Sequence, residues 1–151
     1  MEKKYKLLEN DTKTVNGKTL YRIEALKDFA GVKKGDKGGY IESENNLSQA
    51  GNCWVYGDAQ VSGDAWVYGA AQVSGDAWVF GDAQVYGAAW VYGAAQVSGD
   101  ACVFEDARIY EDARIYGDAW VSGDARIYGK AQVSGDAKIF EGEIGSGVIE
   151  K

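Results

Sequence analysis

Five aspartates, Asp64, Asp82, Asp100, Asp118 and Asp136, recur at one fixed interval, every eighteenth position. Stacked up one corner of a repeating coil, their carboxylates would lie ~5 Å apart, close enough to hold calcium weakly. A simpler reason for an aspartate after a glycine is the turn itself, because Asp tolerates left-handed backbone better than most residues. No metal or other cofactor is therefore expected. Histidine is absent from the chain, and with it the side chain that most often moves protons or binds zinc near neutral pH. No single carboxylate stands out from the others as a substitute base, so catalysis is disfavoured.

The residues that do stand out are aromatic. Trp54, Trp66, Trp78, Trp90 and Trp120 each precede a valine, and an aromatic residue or serine follows it. These triplets belong to a beat of six: aliphatic, aromatic or Ser, Gly, Asp or Ala, Ala, then a variable residue. Val55, Val61, Val67, Val73, Val79, Val85, Val91, Val97, Val103, Ile109, Ile115, Val121, Ile127, Val133 and Ile139 keep it without a slip. A strict internal period is the mark of a solenoid.

Within each hexad the aliphatic residue must point inward, since its neighbours on a strand of period two point outward. Gly supplies a turn conformation that other residues resist, and Ala is small enough for an inner corner. Three hexads then close one triangular coil. The expected fold is all-β, a left-handed parallel β-helix of about five coils over residues 51–140. A second period of twelve overlies the first: Tyr56, Tyr68, Phe80, Tyr92, Phe104, Tyr116, Tyr128 and Phe140 are aromatic. A flattened, two-sided coil of two hexads is thus the alternative, and the partner of Val55 decides between them.

Residues 1–50 do not repeat. Asn16-Gly17 between β-prone flanks predicts a type I′ hairpin, and the whole segment reads as a cap on the first coil. Residues 141–151 break the beat and read as a closing segment. Charge divides unevenly. Residues 1–50 carry ten Lys/Arg against eight Asp/Glu, net +2, and residues 51–151 carry six against fifteen, net −9. An acidic rod repels nucleic acid, so direct nucleic-acid binding is not expected.

No stretch approaches the ~18 apolar residues of a membrane span, and the first residues lack the apolar run of a secretion signal. The expected address is cytoplasmic. Cys53 and Cys102 would lie roughly 13 Å apart along the coil axis, too far for a disulfide. Arg108, Arg114 and Arg126 break into the pattern near Glu105, Asp106, Glu111 and Asp112, and surface ion pairing is the expectation.

The hexads resemble the hexapeptide-repeat superfamily. More specifically, residues 20–59, LYRIEALKDFAGVKKGDKGGYIESENNLSQAGNCWVYGDA, resemble the segment leading into the β-helix of the YdcK-like bacterial and prophage group. The resemblance implies a left-handed β-helix, often trimeric, and a provisional transferase label that rests on the fold. Hexapeptide acyltransferases rely on a histidine base, which this chain lacks.

Folding each set of three hexads into three sides sorts the outward residues into unequal faces. One is mostly polar. A second carries Trp54, Tyr56, Trp90 and Tyr92. The third carries Trp66, Tyr68, Tyr86, Phe104, Trp120 and Phe140, a larger apolar surface than soluble monomers normally leave bare. Self-association, with a trimer favoured, is the expected cover. Alternatives are a small aromatic, sugar or nucleotide ligand stacked on the rings, or a host protein for which the acidic rod imitates nucleic acid. The expected role is a non-catalytic scaffold.

Overall fold

A computed structural model describes residues 3–150. The two first strands, β1 (Tyr5–Val15) and β2 (Lys18–Ala25), form an antiparallel hairpin. Asn16 and Gly17 both adopt positive φ, 49° and 80°, as a type I′ turn requires. A third strand, β3 (Lys37–Ile41), pairs antiparallel with β2 on one edge and parallel with Gln60–Val61 on the other. It thereby converts a hairpin sheet into the first side of a coil.

From Trp54 onward each hexad makes one two-residue strand and one corner. Strands pair in parallel with those three hexads on: Val55 with Val73, Val61 with Val79, and Val67 with Val85. The coil is three-sided, and the two-sided alternative of two hexads is ruled out. Each hexad sends N–H groups to the next coil, as in Trp54 to Ala71 O at 3.2 Å, Tyr56 to Val73 O at 2.7 Å and Asp58 to Gly75 O at 3.2 Å. Proline, lacking that donor, is absent.

The core is a prism of stacked aliphatics. Every repeat Val and Ile from Val55 to Val133 is fully buried, as are the corner alanines from Ala59 to Ala131. The corner is closed by a local bond, for example Ala59 N–H to Tyr56 O at 3.2 Å. The residue after the outward aromatic or serine has positive φ, 61° at Gly57 and 65° at Gly63. No aspartate among the described residues has positive φ. The expectation that Asp serves the corner through left-handed backbone is corrected: the residue before it takes that conformation, and Asp supplies the next N–H of the ladder.

The stack runs to about six turns rather than five. Leu47 bridges Val67, and Tyr40 and Ile41 pair with Gln60 and Val61, so residues 40–53 form most of a turn ahead of the first hexad. At the other end Glu143–Ile144 pairs with Arg126–Ile127, and Val148–Glu150 pairs with Gln132–Ser134. The first of these steps falls one residue short of three hexads, and the second falls two short. Parallel pairing needs only backbone donors and acceptors, so a coil can be extended by sequence that lacks the beat. Among the described residues there is no α-helix, only the short 3-10 turn Glu44–Asn46, and no helix is long and apolar enough to cross a membrane.

Gly38 and Gly39 show why β3 carries a glycine pair. A methyl group on Gly38 would collide with Val55 O and the Ile23 side chain, and one on Gly39 with Ala59 O and Val55 Cγ1. Both glycines exist for close approach of β3 to the coil rather than for backbone freedom.

Candidate interaction face

The third side of the coil is built from residues 66–68, 84–86, 102–104, 120–122 and 138–140. Since neighbouring strands lie about 4.8 Å apart, outward rings at matched positions must stack. Tyr68 and Tyr86 do so with centroids 4.7 Å apart and planes 6° from parallel. Tyr86 and Phe104 follow at 5.1 Å and 4°. Trp66 leans on Tyr68 across the inward Val67, at 4.0 Å and 32°. Phe104 meets Trp120 edge-on at 5.9 Å, and Lys138 places its ammonium 5.0 Å above the Trp120 ring. The Tyr68 hydroxyl donates to Gln84 Oε1 at 3.1 Å, which pins that ring.

Six expected residues of this face are thus brought to one side, five of them in an unbroken aromatic chain. Trp66 is 44% exposed, Trp120 46% and Phe140 65%. Burial pushes the Tyr68 and Tyr86 hydroxyls above the usual phenol range, so both stay protonated near neutral pH.

The second side holds a shorter ladder, Tyr92 on Tyr110 at 5.0 Å and Tyr110 on Tyr128 at 5.3 Å. Trp90 meets Tyr92 edge-on and lies under the Arg108 guanidinium, 4.8 Å away. Trp54 does not join them. It is 1% exposed, with Tyr5 and Phe29 packed edge-on against it at 6.1 and 5.2 Å. The expectation that Trp54 faces solvent is therefore corrected, because the N-terminal segment covers that end of the rod. Tyr56 is half-buried against the same core.

The aspartates of the corner, Asp64, Asp82, Asp100, Asp118 and Asp136, do form an exposed column. Among the described residues no group of three or more metal-ligating side chains has the geometry to hold an ion. Their backbone N–H groups bind the next corner, Asp64 to Gly81 O at 2.9 Å and Asp100 to Gly117 O at 2.8 Å. Partial desolvation and the charges of Asp118 and Asp82 push the Asp100 carboxyl above the usual carboxylate range.

The arginines do not form the expected ion pairs. Among the described residues every ion pair falls within residues 3–58, such as Arg22 Nε to Asp11 Oδ2 at 3.0 Å and Lys3 to Glu44 at 3.1 Å. Glu105 and Glu111 instead turn their carboxylates along the rod, accepting from Gly123 N–H at 2.9 Å and Gly129 N–H at 2.8 Å. Glu42 does the same for Gly63 at 2.7 Å. Glu105 and Glu111 stand where other hexads have glycine, with φ of 58° and 57°. That substitution was the visible signal, and ion pairing was the wrong physical reason for it.

Two further devices escaped sequence reasoning because they depend on distant chain segments. Buried Asn46 accepts from Glu42 and Ser43 N–H and donates to Gly63 and Ala65 O, replacing a missing rung between two coils. Buried Lys4 donates to Cys53 O at 2.7 Å and reaches Cys53 Sγ at 3.4 Å. Burial lowers the Lys4 ammonium's proton affinity and raises that of the Cys53 thiolate. Cys53 and Cys102 are both free thiols.

Parallel strands stacked three hexads apart, with fully buried aliphatics and glycine corners, define a three-sided β-solenoid repeat protein. Comparison with known proteins narrows that class. The family described as YdcK Beta solenoid repeat matches residues 59–75, 71–87, 107–123, 113–129 and 119–135, so the repeats over those residues are YdcK-like. A stretch of 37 residues is 49% identical to a protein of Escherichia coli (strain K12) named "Uncharacterized acetyltransferase YdcK". The match covers 24% of this chain and 11% of that protein.

Proposed function

We propose that this chain is a non-catalytic β-solenoid scaffold, from a bacterium or its prophage, that associates with further copies of itself through the third face. The observation that carries this reading is the continuous aromatic chain Trp66–Tyr68–Tyr86–Phe104–Trp120. With Phe140 it places the three most exposed rings, Trp66, Trp120 and Phe140, on one side of the rod, and only Trp90 of the exposed large rings on another. Covering them against a like surface removes apolar area from water at about 25 cal/mol per Å². A closed ring of three copies uses the same face once per copy and leaves none bare. The cytoplasm is the proposed site of action.

Light scattering after size-exclusion chromatography tests it. The wild-type chain is expected at a multiple of the single-chain mass and the Trp66→Ser/Trp120→Ser variant at lower mass. A monomeric wild type at tens of micromolar overturns the reading.

The name of the Escherichia coli relative favours a second reading, acyl transfer. It would require a base other than histidine. Calorimetric titration with acetyl-CoA decides it, since an acyltransferase must show saturable heat and a scaffold none.

A further inference from the structure

We infer that a cleft between the N-terminal hairpin and the first face of the coil is a binding site for a neutral monosaccharide-sized sugar. The cleft measures about 330 Å³, and its lining includes Asn16, Lys18, Gln60, Ser62, Trp78 and Phe80. That size is at the lower end of small-molecule sites, ~300–1,000 Å³. It lies on a different side of the rod from the aromatic chain above, and does not depend on self-association.

Gln60 makes the cleft more than a crevice. The residue is 8% exposed, and among the described residues its carboxamide has no hydrogen-bond partner in the protein, although it lines the cleft. Two of the four other repeat glutamines find a partner in a tyrosine hydroxyl, while Gln72 and Gln96, which are less buried, make no side-chain bond among the described residues. Gln84 and Gln132 accept from the Tyr68 and Tyr116 hydroxyls, each 16 residues earlier. The equivalent position before Gln60 is Glu44, which is occupied by Lys3 and Gln49. Among the described residues no fully buried side-chain polar atom lacks a partner, so the Gln60 carboxamide opens to solvent in the cleft, where water or a ligand supplies its partners.

The lining selects the ligand. Trp78 is the strand neighbour of Gln60 and forms an apolar wall with Phe80, edge-on at 6.2 Å. Asn16, Gln60 and Ser62 offer uncharged donors and acceptors. The charged lining residue Lys18 has its Nζ 3.8 Å from Glu42 Oε1. A pyranose ring has an apolar C–H face for the indole and a rim of hydroxyls for the amides, and carries no charge. An anionic ligand would find no free cation among the lining residues.

The test follows the Trp78 indole N–H in ¹H–¹⁵N spectra, assigned through Trp78→Leu, during titration with D-glucose, D-galactose, N-acetyl-D-glucosamine and maltose. At least one sugar is expected to shift it saturably, with affinity falling about tenfold in Gln60→Leu and unchanged in Lys130→Ala. Should Gln60→Leu fail to fold, Asn16→Gly removes an amide while keeping the turn, and must also weaken binding. The inference is overturned if no sugar shifts the indole at tens of millimolar. It is equally overturned if Gln60→Leu or Asn16→Gly binds as well as wild type, or if adenosine outcompetes every sugar.

Discussion

The Glu105 carboxylate reaches one coil ahead and accepts a hydrogen bond from the Gly123 backbone N–H at 2.9 Å. Glu105 does so from a left-handed backbone, φ 58°, that costs a non-glycine residue about 1–2 kcal/mol. The bond and the strain therefore oppose each other. Glu105→Ala keeps the strain and loses the bond, and is expected to destabilise by about 1 kcal/mol. Glu105→Gly loses both and should lie within about 0.5 kcal/mol of wild type. Urea midpoints that place the two variants together would refute this balance.

Gly87 sits beneath Glu105, and a methyl group there would come 2.7 Å from the Glu105 nitrogen at a φ of 70°. Gly87→Ala is expected to cost about 2 kcal/mol or more, from strain and overpacking together. Gly142→Ala has positive φ but open space around it, so it should cost only the conformational part. Thermal melts of the two variants separate the contributions.

Asp100 supplies a pH dependence. Its pKa is raised in the folded chain, so the folded state binds the proton more tightly than the unfolded state. The stabilising contribution is present below the unfolded carboxylate pKa of about 4 and is lost as pH rises through the folded value. Asp100→Asn is therefore expected to raise the melting temperature at pH 7, with the gain vanishing below about pH 4 and shrinking in high salt. A gain that persists at acid pH would refute an origin in the ionised Asp100 carboxylate, whether from its desolvation or from the neighbouring aspartates.

Trp54 and Trp66 share a sequence context and should behave oppositely. Trp54→Ala opens a cavity under Tyr5 and Phe29 and is expected to cost about 3–5 kcal/mol. Trp66→Ser removes an exposed ring, so the monomer should change by less than about 1 kcal/mol. Denaturation at low concentration measures both, and equal losses would contradict the difference in burial.

The contrast between those two tryptophans shows where sequence reading stops. Both open a WVY triplet, and the period of six places both outward. Only the N-terminal segment, folded back over the rod, buries Trp54. Asn46 and Gln60 are similar: one amide is fully bonded and the other open, for reasons that lie in distant segments of the chain. The corner glutamates lay between these cases. Their occupation of a glycine position could be read directly, but the direction of their carboxylates could not.

The column Asp64 to Asp136 closes the comparison. Its spacing follows from the sequence alone, as do a solenoid of hexads and the inward Val and Ile, because strand alternation and a fixed period leave few other ways to bury the aliphatics. The pairing of Val55 with Val73 decided three sides against two and so sorted the aromatics. Tertiary structure decided the number of turns, the burial of Trp54, the roles of Glu42, Glu105 and Glu111, and the cleft at Gln60. Those depend on how non-repeating chain packs against the rod, and backbone hydrogen bonding there imposes no side-chain pattern that a sequence could display.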